Sequence, residues 1–190
     1  MNDKPCNGCG AASRRDVMAG GLGLALAPGV ALAQDAAVLR PRAGDYLVRQ
    51  DDPAAKPLTP ADIALHTEQV FVWAVDPADK TVRKGSRLNG VMLVRFDPTE
   101  LTDETRERAA DGVVAYTQVC THNGCDVATW VPAERVVMCA CHFTKYDLRD
   151  TARVIDGPAP RPLPALPLKV EDGKLVVAKG YTDRVGFENA

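Results

Sequence analysis

Two short boxes carry most of the soft-ligand chemistry in this chain. The first reads Cys120-Thr121-His122-Asn123-Gly124-Cys125, the second Cys139-Ala140-Cys141-His142, with thirteen residues between them. Four of the six cysteines and two of the three histidines therefore sit in one stretch. Thiolates and neutral imidazoles are ligands for zinc, copper and iron. Six potential ligands exceed what one tetrahedral ion takes, and neither box has the spacing of a structural zinc site. One Cys and one His from each box would serve a two-iron centre, leaving one Cys per box to pair as a disulfide.

Such boxes need loops held by strands. Val70-Phe71-Val72-Trp73-Ala74-Val75 reads as a strand stopped by the turn Asp76-Pro77-Ala78-Asp79. Strands follow at 91–96, 113–116, 127–131, 136–138 and 153–155, and a hairpin over 168–179 turns at Asp172-Gly173. Five prolines in 157–167 exclude helix and central strand there. The charged segment 97–110 is the one helix expected beyond the N-terminal region. Short strands with frequent turns indicate an all-β sandwich or barrel, with both boxes on its loops.

The N-terminal region reads differently. Ser13-Arg14-Arg15-Asp16 precedes an uncharged, glycine-rich run that ends Ala31-Leu32-Ala33, a small-x-small cleavage pattern. Residues 1–33 are therefore expected to be a twin-arginine signal peptide, which places the body of the protein in the periplasm. The competing reading is a retained anchor giving membrane association, although the run falls short of the ~20 apolar residues a span needs. Cys6 and Cys9 lie in this region without a strand or helix around them, and their C-x-x-C is read as incidental. Residues 34–66, with Pro41, Pro53, Pro57 and Pro60, read as an extended lead-in, and 67–190 as the domain proper.

The 190 residues carry a formal net charge of −2, and 46% of them are hydrophobic. That composition excludes a wholly disordered chain. The near-neutral balance and 5% aromatic content argue against nucleic acid as a partner.

Cys-Thr-His-x-Gly-Cys followed by Cys-x-Cys-His resembles the two-loop signature of the Rieske family, over roughly residues 113–180. The resemblance implies an antiparallel β-sandwich base with a small cluster-binding subdomain of loops, about residues 113–168. It implies a Rieske 2Fe-2S cluster with Cys120 and Cys139 on one iron and His122 and His142 on the other. By the same resemblance Cys125 and Cys141 form a disulfide, which suits an oxidising compartment. Two neutral imidazoles in place of thiolates raise the potential to about −150 to +300 mV, against about −400 mV for plant-type all-Cys clusters. The implied function is one-electron transfer, with Thr144 and Tyr146 donating hydrogen bonds to the cluster sulfurs. Gly157-Pro158-Ala159-Pro160 matches the family's cluster-covering Pro loop.

The implied partners are a c-type cytochrome acceptor and, as donor, either a quinol-oxidising cytochrome b-type subunit or a molybdenum catalytic subunit. Asn123, Ala140 and Phe143 replace the Leu, Pro and Gly usual in quinol-oxidising members. A Cys-His-Phe-Thr box is similar to that of the arsenite oxidase small subunit, so features of two branches are mixed. His66 is read as a solvated surface residue, and Trp73 and Trp130 as core.

Overall fold

The computed structural model describes residues 35–187; the expected signal peptide, Cys6 and Cys9 lie outside them. Strands β1 (Tyr46–Arg49), β2 (Val70–Val75), β3 (Val91–Arg95) and β4 (Val113–Thr117) run antiparallel and hydrogen-bond side by side. After the cysteine boxes come β5 (Val127–Val131), β6 (Val136–Cys139), β7 (Lys145–Asp147) and β8 (Arg153–Asp156), followed by β9 (Leu168–Glu171) and β10 (Lys174–Val177). One sheet has the order β4-β3-β2-β1-β10-β9, the other β5-β6-β7-β8. The all-β expectation holds. Among the described residues no helix is long and apolar enough to cross a membrane.

The base sheet curls back on itself. The outer edge of β4 bonds to the Pro-rich run: Thr117 N–H donates to Pro164 O at 3.1 Å and Leu166 N–H to Ala115 O at 2.9 Å. Period-2 alternation then serves two cores at once. Met92, Val94, Val114 and Tyr116 point into one core, while Val91, Leu93, Val113 and Ala115 point into the other. The first core lies against the four-stranded subdomain and contains Cys120, Cys139 and Tyr146. The Tyr116 hydroxyl crosses it to donate to Leu148 O at 3.1 Å.

Several elements differ from expectation. The lead-in is not merely extended, because β1 sits inside it, between β2 and β10, with Leu47 and Val48 buried. Its four residues are too few, among prolines and charges, to show a period. The cluster-binding part is a sheet as well as loops, and Lys145-Tyr146-Asp147 hides β7 between charges. The expected helix over 97–110 shrinks to a turn at Pro98–Glu100 and one short helix, α1 (Asp103–Arg106). Asp97 and Glu100 cap the turn, after which the chain extends to bury Leu101. The segment packs inward: Thr102 N–H donates to Arg149 O and Thr151 N–H to Thr105 Oγ1. It thereby brackets the subdomain onto the base.

His66 is not a free surface residue: its Nε2 is hydrogen-bonded to Glu100, whose other oxygen takes Arg135 at 2.6 Å. Trp73 and Trp130 are half-buried rather than central. A buried charge network went unread in the sequence. The fully buried Arg83 guanidinium grips Asp45 through Nε at 2.6 Å and Nη2 at 2.9 Å, and reaches Asp76 at 3.0 Å.

Candidate metal centre

Box one closes as a tight loop between β4 and β5. Cys120 N–H donates to Cys125 O at 2.8 Å, Gly124 N–H to Cys120 O at 3.1 Å, and Val127 N–H to Gln118 O at 2.8 Å. Box two closes in the same way between β6 and β7, with Phe143 N–H to Cys139 O at 2.8 Å and Cys139 N–H to Thr144 O at 2.9 Å. The left-handed turn each loop requires falls at Gly124 (φ +73°) and at Phe143 (φ +59°). The Phe143 ring is 65% exposed.

The disulfide Cys125–Cys141 joins the two loops, with Cα atoms 6.5 Å apart, inside the ordinary range. It leaves Cys120 and Cys139 as free thiols, each 1% exposed. Cys139 also lies close to Cys125 and Cys141, but two members of that trio are spent on the disulfide. The imidazoles of His122 and His142 meet edge to face, their Nδ1 atoms 3.2 Å apart. That is close to the separation two nitrogens take on one tetrahedral metal at about 2.0–2.1 Å each, the range of zinc sites. His142 is exposed and His122 half-buried.

The surroundings fit a charged guest held by two thiolates. Burial pushes the Cys139 thiol up, with Cys120 adding to the effect. Tyr146 is fully buried, its hydroxyl 3.2 Å from both Cys120 Sγ and Thr121 Oγ1. Burial and the Cys120 sulfur keep the phenol protonated, hence a donor, far above neutrality. Thr144 Oγ1 is buried with no partner among the described residues. Buried hydroxyls are nearly always satisfied, and a sulfide acceptor would complete this one.

The Pro-rich run is fastened to both loops. A Cβ at Gly157 (φ +94°) would lie 2.5 Å from Thr144 Cα, so only glycine lets the chain close on box two. At the other end Arg161 O accepts from Thr121 Oγ1 at 2.7 Å. Ala159 packs on the core, while Pro158 stays exposed. The structure places Cys120, His122, Cys125, Cys139, Cys141, His142, Thr144, Tyr146 and Gly157 around the paired loops and leaves Pro158 exposed beside them. It adds Thr121 and Arg161, which only the fold could reveal.

Residues 59–167 match the family model described as the Rieske 2Fe-2S domain. The cytochrome bc1 complex Rieske iron-sulfur subunit of Streptomyces lividans is 31% identical over 133 residues, covering 69% of this chain and 75% of that protein. The chain spans only 36% of the Streptomyces coelicolor subunit and 38% of the Mycobacterium bovis one. A putative respiratory nitrate reductase subunit Rieske from Haloferax mediterranei is 36% identical over 106 residues, 55% of this chain and 47% of that protein. Among solved structures, the plasma membrane Rieske protein PetC3 from Synechocystis PCC 6803 aligns at 27% identity and TM-score 0.40, over 63% of this chain and 93% of its own.

Proposed function

The chain belongs to the Rieske 2Fe-2S family, and we propose that it relays single electrons as the iron-sulfur subunit of a periplasmic respiratory oxidoreductase, from a quinol to a c-type cytochrome. Its cofactor is a Rieske-type 2Fe-2S cluster. Cys120 and Cys139 would hold one iron as thiolates, and His122 and His142 the other through Nδ1. When bound, the cluster supplies a one-electron couple at a potential raised by its neutral ligands. The observation that carries the reading is the 3.2 Å convergence of the two Nδ1 atoms beside two free, buried thiols.

The remaining residues set the conditions for transfer. The Tyr146 hydroxyl, within reach of Cys120 Sγ and Thr121 Oγ1, would donate to Cys120 as a thiolate, and Thr144 offers a second donor from box two. Gly157 and the run behind it close the third side, while the disulfide holds the loops against each other. His142 keeps its ring open to solvent, and its Nε2 is the atom where a donor hydroxyl hydrogen-bonds and a proton moves. The twin-arginine pattern of residues 13–33, read as a leader, and the Cys125–Cys141 disulfide support this location outside the cytoplasm.

A second reading has its own observation. The exposed Phe143 beside His142 departs from quinol-oxidising members and belongs to the Cys-His-Phe-Thr box that resembles the arsenite oxidase small subunit. On this reading the chain passes electrons from a molybdenum subunit to a cytochrome and performs no catalysis of its own. Quinol-dependent cytochrome c reduction by the purified complex supports the first; co-purification with a molybdenum subunit and no quinol activity supports the second. His142→Cys should lower the potential or lose the cluster. An unchanged potential would refute the ligand role.

A further inference from the structure

We infer that the C-terminal tail, residues 181–187, is part of the metal centre: it clamps the box-one loop from outside, with Arg161 and Phe187 as positioning residues. The inference rests on the reading that Cys120 and His122 of that loop hold the cluster.

The tail is seated before it reaches the loop. Tyr181 packs on the second core and Val185 is buried. Thr182 pairs with Ala165 in both directions: its N–H donates to Ala165 O at 2.9 Å, and its Oγ1 accepts from Ala165 N–H at 3.0 Å. Arg161 then acts as a two-sided hub. Its Nη2 donates to Arg184 O at 2.8 Å and Gly186 O at 2.6 Å, and its Nη1 reaches Asp183 at 3.4 Å. Its own carbonyl meanwhile accepts from Thr121 Oγ1, the residue between Cys120 and His122. One residue therefore holds the tail with its side chain and box one with its backbone.

At its far end the tail lays the Phe187 ring on Gly124. A Cβ there would lie 2.9 Å from Cδ1 and 3.1 Å from Cε1 of that ring. The ring thus occupies the space a side chain at 124 would fill, over the turn closed by Gly124 N–H and Cys120 O. Box two is met instead by the Pro-rich run, at Gly157 against Thr144, and its tip stays open, with Phe143 65% exposed. This asymmetry matches the imidazoles: His122 is half-buried, His142 exposed. The clamp directs exchange with a partner to the His142 edge.

The test compares Arg161→Met and Phe187→Ala with the unmodified protein, full length and cluster-loaded, by hydrogen exchange of peptides over 118–127 and 136–147. The clamp predicts exchange about tenfold faster in the first peptide only, since local opening is governed by local contacts. It also predicts shifted g values in the reduced-state EPR spectrum and faster iron loss to a chelator. Unchanged box-one exchange in both variants overturns the inference. So does equal acceleration of both peptides and the base sheet, which would mean general destabilisation. If the unmodified protein lacks the EPR signal of a His-ligated cluster, the ligand reading fails instead, while exchange in the protein as isolated still decides the clamp.

Discussion

Tyr146→Phe removes one oxygen from the centre and tests whether that oxygen tunes the electron. The hydroxyl lies 3.2 Å from Cys120 Sγ but also 3.2 Å from Thr121 Oγ1, so its single proton is shared. Hydrogen bonds to charged acceptors are worth ~1.5–3 kcal/mol, and this long, shared one belongs at the low end. Assigning about 1 kcal/mol of it to the extra charge on sulfur after reduction gives a fall of roughly 40 mV, at 59 mV per 1.4 kcal/mol for one electron. Thr121 keeps its bond to Arg161 O, so the fold loses little. The assay is protein-film voltammetry with iron content and melting temperature as controls. A potential equal to or above that of the unmodified protein, with the cluster intact, would refute the reasoning. Thr144→Val sharpens the test because its effects on fold and potential differ. It removes an unpartnered buried hydroxyl, so the metal-free fold should be no less stable while the loaded protein loses potential.

Other consequences are measurable on the same protein. Replacing Cys125 and Cys141 by Ala opens a loop of sequence separation 16, worth about 3 kcal/mol on chain-entropy grounds, and should shorten cluster lifetime; urea denaturation and iron retention read both. Arg83→Met leaves Asp45 buried without its partner and should cost about 3–5 kcal/mol, seen as a lower urea midpoint with an unchanged slope. Acid should unfold the chain. The Ala78 N–H holds the Asp76 carboxyl below the usual range, against burial and with help from Arg42 and Arg83. Asp97 is likewise lowered by Thr99, and burial of Glu100 is outweighed by its bonds to His66 and Arg135. Carboxyls lowered in the folded state stabilise it above their unfolded values and stop doing so as pH falls through the folded ones. The melting temperature should therefore be flat above about pH 5 and drop below about pH 4. A flat profile down to pH 2 would contradict this.

The centre was more legible in the sequence than the scaffold, for physical reasons. Ligand chemistry is local: Cys120, His122, Cys139 and His142 declare themselves by type and spacing, and Gly157 by its place in a short motif. Strands longer than four residues with a continuous apolar run, such as Val70–Val75 and Val91–Arg95, were also legible. Tyr46–Arg49 and Lys145–Asp147 did not, since each draws its stability from neighbours on both sides rather than from its own pattern. The charged segment 97–110 invited a helix by composition, yet it lacks an apolar face of helical period, and its carboxylates are used for caps and for His66 and Arg135. Arg83, buried with Asp45 38 positions away, and Arg161, joining box one to the tail, act across distances in sequence that spacing does not encode.

Two imidazoles on one iron are the central requirement of this centre. The most direct measurement is pulsed EPR of the reduced protein labelled with 15N-histidine. It should show couplings from two histidine nitrogens, reduced to one in His122→Cys or His142→Cys wherever the cluster survives. A spectrum with no nitrogen coupling, or one unaffected by either substitution, would contradict it.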